Sequence, residues 1–149
     1  QSATTFPIHG NAPDPNEVLR LVNSKRQAEG LPALVGDSSL SVLAESRAND
    51  MVSRSYYAHM NPDGKTFYDQ LTLSGVQPDF ACENLSLEPS NDVVTSVNSW
   101  MASTKGHKEC VLDDSVSLAG YAAVMMYDAY LNGTTQPYYV VVGIHSTQK

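Results

Sequence analysis

Three places in this sequence hold side chains of the kinds that do chemistry. His59 follows a helical stretch, Glu83 and Asn84 come directly after Cys82, and the run Trp100 to His107 ends in a second histidine. Imidazole titrates near neutral pH, so His59 and His107 can move protons or bind a metal. Two histidines and a carboxylate are ligands that Zn²⁺ accepts, and three protein ligands plus a water make an open site. On that reading His59, His107 and Glu83 hold Zn²⁺ or another divalent cation. The catalytic candidates are Glu83 and Ser103, and Ser103 becomes a nucleophile only with a histidine in hydrogen-bond reach. His107 lies four residues after it, a spacing that shares a helix face, but Gly106 opposes a continuous helix there. Plainer readings stand beside these. A lone loop histidine is ordinarily a hydrogen-bonded surface residue, and Trp100 on an apolar stripe is ordinarily core. His9 and His145 read as structural or incidental.

The elements that must position these groups follow from periodicity and turn signals. Residues 1–13 lack periodicity and read as an extended arm, with a single domain over 14–149. Asp14-Pro15-Asn16-Glu17 is a helix start in which Asp14 caps, Pro15 takes the first position and Glu17 completes a capping box. Gly30 and Pro32 end that helix. A second helix begins near Asp37 or Ser38, with Leu40, Leu43, Ala44, Ala48, Met51 and Val52 on its apolar face and Glu45, Arg47, Asn49 and Asp50 mostly elsewhere. A short helix spans about Thr66 to Leu73. Cys82 to Leu87 reads as a short strand, and Ser90 caps a helix with the inward stripe Val93, Val94, Val97, Trp100 and Met101. Leu118 to Tyr127 and Pro137 to His145 read as strands, and Asn132-Gly133 marks the turn of an antiparallel pair. In the last strand Tyr138, Val140, Val142 and Ile144 alternate with Tyr139 and Val141, so both faces are apolar and both need cover. The fold class is therefore α+β, a three-layer α-β-α sandwich with a mainly antiparallel central sheet.

Bulk properties narrow the function. A net charge of -7 with no run of Lys and Arg argues against a nucleic-acid or anionic-membrane surface. No apolar stretch approaches the roughly 20 residues of a membrane span. The start at Gln1 is expected to be that of a mature or trimmed form. Cys82 and Cys110 are either one disulfide, which would imply an oxidising compartment, or two buried thiols. If paired, they would draw the Glu83 segment toward the chain just after His107. Asn84-Leu85-Ser86 and Asn132-Gly133-Thr134 match the glycosylation sequon, a motif common by chance. There is no Gly-x-Ser-x-Gly elbow, His-Glu-x-x-His pair, phosphate loop or dinucleotide fingerprint. Two cysteines exclude a four-cysteine zinc site.

The ordered set of features resembles the CAP superfamily of cysteine-rich secretory, antigen-five and pathogenesis-related proteins, in its short bacterial-type branch. The residues that carry the resemblance are Leu21-Val22-Asn23 and Arg26, Gly30-Leu31-Pro32-Ala33-Leu34, then Leu40, Leu43-Ala44, Arg47-Ala48 and Asp50-Met51. His59, Glu83-Asn84, Trp100-Met101 with Ser103 and Gly106-His107 (read as a helix end), the strand from Gly120 and the terminal Tyr-Val-Val strand complete it. The resemblance implies an α-β-α sandwich, a usually extracytoplasmic location, and a cleft where His59, Glu83 and His107 converge with Asn84 and Ser103 beside them. Animal and plant members carry a further cleft glutamate just after the helix tryptophan. Met101, Ala102 and Ser103 stand there instead, and a Gly-His-Tyr-Thr-Gln segment is absent. The expectation is a secreted or cell-surface monomer, a non-catalytic binding module for a small-molecule, lipid or cell-surface ligand, with a cleft able to hold a divalent metal. The alternative is a metal-dependent hydrolase, peptidase-like, using the same cleft.

Overall fold

The structure, a computed structural model, describes residues 5–127 and 136–148. The first helix, α1 (Pro15–Ala28), starts where expected, with the Asp14 side chain accepting from the Asn16 N–H and Pro15 in the first turn. The expected capping box does not form. Glu17 turns outward to Arg20 at 3.0 Å, while Asn16 ties the start of the helix to the Phe6 main chain. Through that tie the preceding segment packs down, with the Phe6 ring buried edge-on against Tyr121. His9 is held at 3.2 Å from Glu45.

A two-residue strand that periodicity could not signal, β1 (Val35–Gly36), precedes α2 (Ser38–Ser53), which Asp37 caps. Next come α3 (Phe67–Leu73), with a capping box between Thr66 and Asp69, and β2 (Ala81–Glu88). The helix α4 (Val93–Met101) is capped by Asp92, not by Ser90. Ser90 instead accepts from the Asp92 N–H, one step back along the same turn. Val94 lies on the outer face of α4 and is exposed, so the inward stripe is narrower than expected. His107 does not end a helix but begins one, α5 (His107–Leu112), because Gly106 at φ 101° breaks the run after α4. The strands β3 (Leu118–Tyr127) and β4 (Pro137–Ser146) close the chain.

The sheet order is β1-β3-β4-β2, with β3–β4 and β4–β2 antiparallel and β1 parallel to β3. The expected Asn132-Gly133 turn and the Asn132 sequon lie outside the described residues. Alternation along the strands sends one set of side chains to each face, as the period-2 pattern requires. Tyr121, Ala123, Tyr139 and Val141 meet Val18, Val22, Val97, Trp100 and Val111 of α1, α4 and α5. Ala122, Val140, Val142 and Ile144 meet Leu40, Ala44, Ala48, Met51 and Leu71 of α2 and α3. This is the three-layer α-β-α sandwich.

Two features fix how closely the layers approach. Gly120 on β3 lies under the first turn of α2, where an added Cβ would sit 2.2 Å from the Leu40 carbonyl carbon and the Ser41 nitrogen. Cys82 on β2 is disulfide-bonded to Cys110 on α5. Beside that bridge His145 is fully buried and neutral, donating from Nδ1 to the Cys110 carbonyl at 3.0 Å and accepting from the Tyr121 hydroxyl. Burial pushes its pKa down to about 4.

Gly120→Ala must push α2 off the sheet and is expected to cost about 3 kcal/mol or more in urea unfolding, with a correspondingly lower Tm. Reducing the disulfide frees a chain segment with a sequence separation of 28. The loop-entropy argument puts the loss at about 3–4 kcal/mol, or a Tm lower by about 10 °C. Equal melting curves with and without reductant would contradict this.

Candidate functional site

The site is built outward from one helical side chain. Arg47 on α2 stands three residues after Ala44 and seven after Leu40, so it lies on the buried stripe, not on the outer faces where it was expected. Its side chain is fully enclosed, as is that of Glu83 on β2. Arg47 Nε donates to Glu83 Oε2 at 2.8 Å and Nη2 donates to Oε1 at 2.9 Å, a bidentate pair. The same Nη2 donates to the Ala58 and His59 carbonyls at 3.1 and 2.9 Å. Nη1 reaches the Tyr56 hydroxyl, which in turn donates to Asp50. One guanidinium thus holds the carboxylate and the loop that carries His59.

His59 Nδ1 lies 2.9 Å from Glu83 Oε1. A carboxylate accepts, so Nδ1 carries the proton and the lone pair is left on Nε2. His107 faces His59 with ring centres 6.5 Å apart and planes tilted by 32°. Ser103 Oγ sits 2.8 Å from His107 Nδ1 and accepts the Lys105 N–H at 2.9 Å. The contact arises without a shared helix: Gly106 turns the chain so that the loop after α4 folds back on the first residue of α5. Asn84 donates to the His107 carbonyl at 2.9 Å and is buried, so its amide has no room for a glycan in the folded protein. Burial, together with the repulsion that a protonated His59 would exert, lowers the pKa of His107, while Glu109 acts the other way.

His59, Glu83, Asn84, Ser103 and His107 therefore share one cleft, but in different roles. Both Glu83 oxygens are engaged by Arg47 and His59, so the carboxylate stands behind His59. Among the described residues, the three metal-type side chains whose ligand atoms lie within 4.8 Å of one another are Cys82, Cys110 and His145. Those sulfurs are joined to each other and carry no thiolate, and His145 Nδ1 is committed to a carbonyl. Beside His107 a groove of about 430 Å³ runs between β2 and the α4–α5 connection. The residue that sequence reading left out of the site is Arg47. Its signal was the spacing from Leu40 and Ala44, which puts a charge on an apolar stripe and so demands a buried partner.

Comparison with known proteins agrees with this architecture. The profile of the cysteine-rich secretory protein family, CAP, matches residues 19–143. An uncharacterized protein of Bacillus subtilis, YkwD, is 29% identical over 108 residues, which are 72% of this chain and 41% of that protein. The chain thus spans about two fifths of that relative. An extracellular protein containing an SCP domain from Bacillus anthracis superposes with a TM-score of 0.72 at 22% identity, over 97% of this chain and 45% of the other. An outer surface protein of Borrelia burgdorferi gives a TM-score of 0.70 at 17% identity, covering 89% and 92% of the two chains.

Removing one member of a buried ion pair leaves the other charge uncompensated. Arg47→Met is expected to cost about 3–5 kcal/mol in urea unfolding, and adding Glu83→Leu should recover most of it. A loss under about 1 kcal/mol would mean that the pair is solvated.

Proposed function

The chain belongs to the cysteine-rich secretory protein family, CAP, and from that premise we propose that it is an extracytoplasmic binding protein, not an enzyme, whose cleft offers His59 and His107 to a divalent cation such as Zn²⁺. The observation that carries this reading is the state of the two rings. Each has Nδ1 engaged, by Glu83 and by Ser103, and each has Nε2 without a partner among the described residues. A carboxylate behind a ligating histidine raises its basicity and fixes its orientation, the usual support of a metal-binding imidazole. Two imidazoles on one tetrahedral ion have centres about 5 Å apart. The observed 6.5 Å needs an approach of about 1.5 Å, which the half-exposed His59 side chain can supply. A bound ion would add a positive charge with exchangeable water positions, a docking point for an anionic group.

Turnover is less well supported. A metal-dependent hydrolase needs a free carboxylate as base or third ligand, and the Glu83 oxygens are committed to Arg47 and His59. Ser103 has a histidine in reach, but a His107 whose Nε2 lone pair is offered to an ion carries its proton on Nδ1 and so donates to Ser103 rather than taking its proton. An extracytoplasmic setting is supported by the disulfide, which persists in oxidising compartments. It also fits the extracellular and outer-surface descriptions of two structural relatives.

Calorimetric titration of the oxidised protein with Zn²⁺ should give one site per chain. His59→Ala and His107→Ala should each weaken it at least about tenfold, and Glu83→Gln by about tenfold or more through His59. Zn²⁺ affinity that is unchanged in both histidine variants would overturn the metal reading. Hydrolysis of a peptide or ester library that disappears in Glu83→Ala would overturn the non-catalytic one.

A further inference from the structure

The groove beside His107 has a wall made of main chain. Among the described residues β2 is an edge strand, paired with β4 on one side only. The phase of its hydrogen bonds can be read from its start. The Thr147 N–H donates to the Phe80 carbonyl at 2.9 Å, so these two form a hydrogen-bonded pair in register with the ladder. Hydrogen-bonded and non-hydrogen-bonded pairs alternate in an antiparallel ladder. Cys82, Asn84, Ser86 and Glu88 therefore turn their N–H and C=O groups to β4, while Glu83, Leu85 and Leu87 turn theirs to the open edge. Trp100 confirms the phase independently, since its Nε1–H donates to the Leu85 carbonyl from that outer side at 2.9 Å.

Edge strands are ordinarily blunted or covered, because a row of open donors and acceptors invites another strand. Here the indole of Trp100 covers the edge at Leu85. Two residues on, the outward N–H and C=O of Leu87 meet no protein partner among the described residues, and Leu87 lines the groove together with Tyr57, Glu88 and Lys105. The cover therefore stops where the groove opens.

We propose that this groove binds an extended peptide segment as an added strand on β2, with one peptide residue exchanging two main-chain hydrogen bonds with Leu87 and the segment running toward His107. The inference rests on the binding reading above and names its ligand, but it needs no ion. The chemistry favours a peptide over an acyl chain. An apolar ligand laid on Leu87 would desolvate its N–H and C=O without replacing their hydrogen bonds, whereas a peptide main chain carries the matching acceptor and donor at the strand repeat. Glu88 and Lys105 give the groove one charge of each sign, which suits a segment of mixed polarity.

The test begins with the free protein, by amide hydrogen exchange in EDTA. The Asn84 and Ser86 amides should be protected, and the Leu87 amide should exchange at least about a hundredfold faster. A displayed library of linear heptapeptides, selected on the oxidised protein in EDTA, should then yield binders that slow Leu87 exchange at least tenfold. N-methylation of the selected peptide should cost tenfold or more at one position and little at its neighbours. Leu87→Pro removes an N–H that the ladder does not use; it should keep the far-UV spectrum and lose the peptide. The proposal fails if Leu87 is already protected in the free monomer, if no peptide is enriched, or if binding survives both Leu87→Pro and the N-methyl scan. Protection of Leu87 that rises with protein concentration, alongside a dimer in sedimentation, would assign the edge to a second copy and also overturn it. Because peptide binding is read in EDTA, a negative Zn²⁺ titration leaves this result standing, and a negative peptide result leaves the Zn²⁺ titration standing.

Discussion

The cleft depends on the Arg47–Glu83 pair. Two opposite charges meet with neither side chain exposed to water. Such a pair carries a desolvation penalty of several kcal/mol per ion, and a well-packed apolar pair would do as much for stability. Its contribution is therefore to arrangement. The guanidinium spans α2, β2 and the loop of His59, and its donors go to one carboxylate, two carbonyls and the Tyr56 hydroxyl. A lysine could not reproduce this, because a single ammonium offers no planar fork. With Glu83 fixed as an acceptor, the His59 tautomer follows, and with it the free Nε2.

The layers were legible in the sequence because they are written in local periods. The alternation of Val140, Val142 and Ile144 against Tyr139 and Val141 required cover on both faces, and the two buried clusters supply it. The cap at Asp14 and the helix start near Asp37 were likewise readable, since a capping carboxylate accepts a main-chain N–H only two or three residues ahead. Less legible were features that depend on distant partners. The strand β1 has two residues and exists only because β3 lies beside it. Helix α5 is a single short segment after Gly106, too brief to show a period. The packing of Phe6 rests on Asn16, ten residues away.

The candidate site divides the same way. Residue types identified His59, Glu83 and His107, and the fold brings them to one cleft. Their division of labour could not be read from types alone. Glu83 looked like a ligand or a base because a carboxylate can be either. Only its bidentate partner shows that both oxygens are in use. Arg47 was placed with the residues mostly off the apolar face of its helix, although its spacing from Leu40 and Ala44 was in plain view. The relatives sharpen this contrast. At 17–22% identity they have the same layers, and a fold shared that widely constrains the scaffold far more than the ligand.

The Cys82–Cys110 bond makes part of the cleft a macrocycle. Glu83, Asn84, the groove strand, Trp100, Ser103, Lys105 and His107 all lie within the covalent ring that it closes, and His59 lies outside. Thermal breathing cannot carry the two cysteine-anchored rims far apart, however much the intervening turns loosen. The His59 loop is joined to that ring through Arg47 and Glu83 contacts. Sequence drift inside the ring can therefore reshape the groove's lining while its two cysteine-anchored ends stay joined.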